Sequence, residues 1–423
     1  MQTTRTALII TTLILIASAN CAIAQNQPEV LAAIRIERPT NSTEPAIAEF
    51  PDDIAPHAPL SVIDANGDIV PSQVEPAIGN LPARIWIAHT GPPIKQHSTH
   101  HYKLVLHPNA HTQRASENRN GLMRIAVTGE HLTINRFNDT QPIIRYNHGY
   151  TQLPEGVGTE FLRSGYIHPV YSPNGRIVTD TRPEDHLHHV GVWFPWVNTD
   201  YEGRHIDFWN LGARTGTVRF AEFGGVTTGP VYAGFRTKHH HLDLTQNPDK
   251  LVIREIWDVT AIDAGNDERI WNLESIQTNV SDSPLKLNQY RYGGLGVRFA
   301  RSWVPNENYH VLTSEGHTFA DAHTTRARWV AHSGNIDGEP ATVVVMCHPT
   351  NERYPETIRS SADFGPFFNW APVQLGDWTL SPGQTWTFRY RFYIYDGPID
   401  AARAEAAFQQ FANPPRATIE PTQ

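Results

Sequence analysis

Residues 386–395 read Trp-Thr-Phe-Arg-Tyr-Arg-Phe-Tyr-Ile-Tyr, with aromatic and aliphatic side chains alternating with Thr387, Arg389 and Arg391. A period of two puts one set of side chains on each face of a strand, whereas a helix would scatter both sets around its 3.6-residue turn. Alternating or β-branched runs recur at 60–63, 84–88, 102–106, 123–127, 190–194, 251–257 and 342–346. Between them stand Asn66-Gly67, Asn174-Gly175, Asn247-Pro248-Asp249 and Asp337-Gly338, which is tight-turn chemistry. Helical composition is confined to 399–411, where Ala, Glu and Gln dominate and Pro414-Pro415 stop the run. The expected fold is all-β: a large antiparallel β-sandwich with a smaller N-terminal β module and one C-terminal helix. The polar stretch 109–121 reads as a connector. It divides the chain into a module at 25–115 and a sandwich domain at 116–413, with a loose tail at 414–423.

The 423 residues carry 34 Lys+Arg against 43 Asp+Glu, a net charge of −9, which has the wrong sign for a nucleic-acid partner. Arg5, an apolar run at 7–19 and Ala22-Ile23-Ala24 have the order of a secretory signal peptide, 1–24. The run is too short for a bilayer core of roughly 30 Å, and no other stretch could span one. Ser18-Ala19-Asn20 before Cys21 is a poor match to a lipoprotein site. The expectation is export to the periplasm or beyond. Loss of 1–24 leaves Cys347 as a lone thiol, and the apolar run before it favours an inert, buried group.

Histidine is abundant, with 22 copies, and the densest cluster is Asp185-His186-Leu187-His188-His189. On a strand, His186 and His188 would share one face while Asp185 and His189 took the other. A carboxylate beside an imidazole fixes its tautomer and raises its basicity, so His188 or His189, ordered by Asp185, is the candidate base. His148 or Tyr292 is the candidate acid. Arg291 and Arg298 flank Gly293, Gly294 and Gly296, where the backbone can approach a ligand closely. His186, Trp209, His168, His348 and Asn351 complete the candidate binding set. His239-His240-His241 lies in a strand-like run with alternate members turned to solvent, which is a structural pattern. There is no phosphate-binding glycine loop, and no nucleotide or flavin is expected. The cofactor is open: a divalent metal would be held by His186, His188 and His189.

Several of these segments, in this order, resemble a family of exported bacterial proteins known as PmoA-like. The matching stretches are 145–149, 166–179 (YIHPVYSPNGRIVT), 185–196 (DHLHHVGVWFPW), 205–209 (HIDFW), 292–299 (YGGLGVRF), 348–353 (HPTNER) and 388–397 (FRYRFYIYDG). The resemblance covers roughly 120–400. It implies an exported β protein of unknown function that keeps company with sugar degradation. The family name comes from a membrane-embedded monooxygenase subunit, which does not suit a chain without a span after residue 24.

Three functions follow. One is a carbohydrate-active enzyme using histidine acid–base chemistry, an elimination or related lyase reaction on an oligosaccharide, with Arg291 or Arg298 available for a sugar carboxylate. The 11 Trp and 14 Tyr would supply stacking faces for sugar rings. A second is a glycan-binding protein without catalysis. The third is a metal-dependent hydrolase or oxygenase built on the three clustered histidines.

Overall fold

The computed structural model describes residues 28–56, 59–77, 82–89, 96–106, 123–137, 139–360 and 365–421. The expected signal peptide, 1–24, and the expected connector at 109–121 lie outside them. The protein is all-β, with antiparallel sheets and a single α-helix among the described residues.

Two large sheets face each other across the main core. One has eight strands, most of them long, in the spatial order Gly216–Thr227, Tyr232–Asp243, Lys250–Ile262, Arg269–Asn279, Thr385–Asp396, Glu339–Cys347, Trp329–Ile336 and His310–Thr313. The alternation at 386–395 is realised here: Trp386, Phe388, Tyr390, Phe392 and Ile394 point into the main core, while Tyr393 and Tyr395 take the other face. That other face is covered by the helix Ala401–Ala412, capped by Asp400, which buries Ala404, Phe408 and Phe411. The turn at 337–338 has both residues at positive φ (54° and 84°), the geometry that suits a two-residue hairpin.

The second sheet has nine shorter strands. Its central members are Phe367–Trp370, Gly296–Arg298, Val192–Trp193, Tyr166–Val170 and Ile144–Asn147. Ile144, Tyr146, Ile167, Val192, Val297 and Phe368 face the long sheet and are buried in the main core. By the period of two, Tyr166, His168, Trp193, Gly296, Arg298 and Phe367 occupy the opposite face. Polar and aromatic chemistry is thereby sorted onto the outside of this sheet.

The N-terminal strands form a separate eight-stranded sheet with its own core of Ile34, Ile36, Val62, Ile85 and Leu104. It docks on the long sheet through Trp86 against Tyr232 (4.3 Å between rings) and the Arg236–Glu75 ion pair at 3.0 Å. The tail, expected to be loose, is instead a strand: Arg416–Pro421 pairs antiparallel with Glu29–Arg38 and touches Ala46–Glu49 on its other side. Its alternating apolar residues, Ala417 and Ile419, pack on the N-terminal core, a pattern too short to stand out in the sequence. The module at 25–115 is therefore completed by residues from the far end of the chain.

Candidate functional site

The segment 182–189 is a loop, not a strand. His186 N donates to Pro183 O and His189 N to His186 O, making two successive turns, and Arg182 N closes the loop on His189 O at 2.7 Å. The turns replace strand alternation with an i, i+3 relation. His186 and His189 stack with ring centres 4.7 Å apart and planes 15° apart, and His188 stands edge-on to both. Asp185 Oδ2 meets His186 Nδ1 at 2.8 Å, so the carboxylate orders His186 and not His188 or His189. Its other oxygen lies 3.5 Å from the buried Arg298 guanidinium. Partial burial pushes Asp185 up, but the His186 hydrogen bond and the Arg298 charge outweigh it and hold the carboxyl below its usual range.

The loop lies over the outer face of the nine-stranded sheet. His189 stacks on Phe367 at 4.7 Å and packs against Trp193 at 5.0 Å. Together His186, His188, His189, Trp209, Asn210, Arg291, Tyr292, Arg359 and Phe367 line a pocket of about 100 Å³. At a liquid-water share of about 30 Å³ each, that is room for roughly three waters, a substituent rather than a whole sugar. Arg291 also lines an adjoining open cleft of about 640 Å³ with Tyr290, His323 and Gln374.

Asp207 fixes one wall. Its Oδ1 accepts from the backbone of Trp209 and Asn210, and its Oδ2 from the Asn210 side chain, which in turn meets the Tyr292 hydroxyl at 3.0 Å. Burial raises Tyr292, so its proton is retained at neutral pH. Burial, with the charges of His186 and Arg163 behind it, pulls His188 down to about 3, and burial holds His189 well below the ordinary histidine range. Both rings are neutral at physiological pH.

The glycines expected near a ligand serve the aromatic wall instead. A Cβ on Gly296 would stand 2.8 Å from Trp209 and 2.9 Å from Trp193, and one on Gly294, at φ 117°, would meet Trp370 O at 2.6 Å. Every Trp except Trp378 is buried, so the indoles are core and wall material rather than open stacking platforms.

Six expected residues are not among those that line the pocket: Asp185 and Arg298, already placed beside the histidine loop, and four more. His148 shares the parity of Tyr146 and therefore the inner face, where it packs on Phe220 and Phe223. His168 is on the outer face but bonds Thr179 Oγ1 at 3.0 Å; burial and the charges of Arg145 and Arg182 bring it down to about 3. His348 bonds Thr350 and packs on Phe411 beside the N-terminal sheet. Asn351 is a clip, donating to Glu356 and accepting from the Arg389 amide. Asp207, Asn210, Arg359 and Phe367 were not singled out. Asp207 lies within the quoted HIDFW stretch, whereas Arg359 and Phe367 arrive from strands with no distinguishing local pattern.

The metal reading does not fit the donor set. Stacked rings carry their lone pairs in near-parallel planes, and among the described residues no group of three or more His, Cys, Asp or Glu is placed to hold an ion. Nor, among those residues, is any helix long and apolar enough to cross a membrane.

The second histidine cluster alternates as expected, His239 and His241 inward and His240 outward, but the inward pair belongs to a network the sequence did not disclose. Glu255, fully buried, receives His241 Nε2 at 2.9 Å on one oxygen and Trp257, Ser275 and Gln277 on the other. His239 Nδ1 lies 3.5 Å away, and its Nε2 meets Tyr146 Oη at 2.6 Å.

These features define an all-β sandwich protein with a histidine-rich, aromatic-walled pocket on the outer face of one sheet. Residues 135–409 match the model of DUF6807, a family of unknown function, and the chain belongs to that family. Nothing in the match supports a monooxygenase-derived label. No curated protein matches the sequence. Among solved structures, a GH36 α-galactosidase variant from Geobacillus stearothermophilus in complex with raffinose is 11% identical, with 69% of this chain and 43% of that one covered and a TM-score of 0.28. A TPR-domain protein from Parabacteroides distasonis is also 11% identical, with 89% and 57% covered and a TM-score of 0.19. The chain thus spans about half the length of these proteins, and scores this low bear on neither fold nor function.

Proposed function

We propose that this is an exported carbohydrate-active enzyme, its first 24 residues serving as the signal, which acts on an oligosaccharide by acid–base elimination. The observation that carries the reading is the Asp185–His186 hydrogen bond at the mouth of an aromatic-walled pocket. With Nδ1–H donated to the carboxylate, Nε2 of His186 carries the lone pair that takes a proton, and Asp185 stabilises the imidazolium that results. Tyr292, protonated and held by Asn210, is the acid. In the step, His186 removes a proton from a ring carbon, the neighbouring C–O bond breaks, a C=C bond forms, and Tyr292 protonates the departing oxygen. Neutral His188 and His189 serve binding and packing.

The test incubates the protein with a panel of oligosaccharides while ultraviolet absorbance from unsaturated sugar is followed. Wild type should turn over at least one of them, with His186→Asn slowed by about 10²-fold or more. A second reading, a glycan-binding protein without catalysis, draws on the Tyr292 hydroxyl already being committed to Asn210. Binding without turnover would favour it.

A further inference from the structure

Buried guanidinium groups collect around the histidine loop. Arg163 is 0% exposed, and none of its three guanidinium nitrogens has a hydrogen-bond partner in the protein. Arg182, 5% exposed and held at φ 49°, stands 5.7 Å over the Tyr166 ring and likewise leaves Nε and Nη2 without partners. The Nδ1 of His189 adds another orphaned buried polar atom. Arg298 and Arg359, both buried, and Arg291 bring further cations to the same face.

Among the described residues, no carboxylate accepts a hydrogen bond from Arg163 or Arg182. Glu255 is the counter-charge felt by Arg163, but its oxygens are already taken by His241, Trp257, Ser275 and Gln277. Asp185 is engaged by His186 and Arg298, and Asp180 by Arg301. Buried charges in folded proteins are paired and hydrogen-bonded, because an isolated one costs several kcal/mol of desolvation. Arg163 has a counter-charge in Glu255 but no hydrogen bond, and its charge is felt by His188 in the pocket wall. Burial pulls Arg163 down to about 10, which still leaves it charged at neutral pH.

We propose that the pocket is an anion subsite, and that it takes an oxyanion carried on a sugar ring, a carboxylate or a sulfate ester. The group enters the 100 Å³ pocket and meets Arg359, Arg291 and His188 at its walls, and the guanidinium groups of Arg163 and Arg182, whose donors are not all taken, add their positive field. The ring itself lies in the adjoining cleft. In this low-dielectric setting a cation acts across several ångströms without direct contact. The inference rests on the carbohydrate reading above and deepens it: a carboxylate whose charge is neutralised acidifies the neighbouring C–H, which is what an elimination requires.

Calorimetric titration of the mature protein with inorganic sulfate, glucuronate, an O-sulfated glucose and glucose separates the possibilities. Wild type should bind sulfate and at least one anionic sugar, with glucose at least 10-fold weaker. Arg163→Met and Arg359→Met should each weaken the anions at least 10-fold and leave glucose unchanged. Arg163→Lys, which keeps the charge, should retain most of the affinity and carries the test if the Met variant does not fold. Anions bound no better than glucose, or equally well by Arg163→Met, would overturn the subsite while leaving the carbohydrate reading intact. Sulfate bound through Arg163 with no sugar bound would uphold the subsite and sink that reading instead.

Discussion

The two histidine clusters are made of the same residue types and differ in how their charges are settled. At His239 and His241 one buried carboxylate, Glu255, is met by donors on both oxygens within the sandwich core, and the atoms left without a hydrogen bond are ring nitrogens, Nδ1 of each histidine. At His186, His188 and His189 the half-exposed Asp185 faces several buried guanidinium groups, among which Arg163 and Arg182 leave nitrogens without hydrogen-bond partners, and a cavity opens beside them. A closed network holds a fold together. An open one, with buried donors left over, is the arrangement that a ligand can complete.

The sharpest way to break this contrast is to damage the closed network. Glu255→Ala leaves buried donors without an acceptor and should cost about 3–5 kcal/mol in denaturant unfolding. A loss under about 1 kcal/mol would mean that Glu255 is not the hub. At the open cluster the balance should reverse: Asp185→Asn, at a half-exposed site, should cost under about 1 kcal/mol of stability yet lower turnover by about 10²-fold. Equal effects on both would erase the distinction. Gly296→Ala drives a Cβ into Trp193 and Trp209 and should destabilise by about 1–3 kcal/mol, with intrinsic fluorescence of the indoles shifted.

The smallest effect is a slope against pH. His188 titrates near 3 when folded and near 6.5 when unfolded, so its contribution to stability is complete above 6.5 and is lost as pH falls towards 3. His168 does the same, and His189 and His239 act in the same direction. Unfolding free energy should therefore fall from pH 6.5 downward, and His188→Gln should lessen that slope by up to about 1.4 kcal/mol per pH unit. An unchanged slope would show that the ring is protonated in the folded protein.

The fold was legible because its strands obey a period of two, and 386–395 shows both faces in one run. The tail escaped because a six-residue strand gains its meaning from a sheet begun at the opposite end of the chain. At the site, Asp185 and the three histidines could be found by composition, but their pairing could not. Turn hydrogen bonds replaced the alternation of a strand, which moved the carboxylate from His188 to His186. His148 is the opposite case, since parity with Tyr146 would have turned it inward had the strand's buried face been known. Arg163 carries no local mark at all; only the absence of partners around it in three dimensions singles it out.

The strand Arg416–Pro421 has one more consequence. It sits in the middle of the N-terminal sheet, between Glu29–Arg38 and Ala46–Glu49, so that sheet stays incomplete until residues beyond the sandwich have been made. Until then an open gap lies between those two strands. Completion of the sheet reports that the sandwich encoded between its parts has been made.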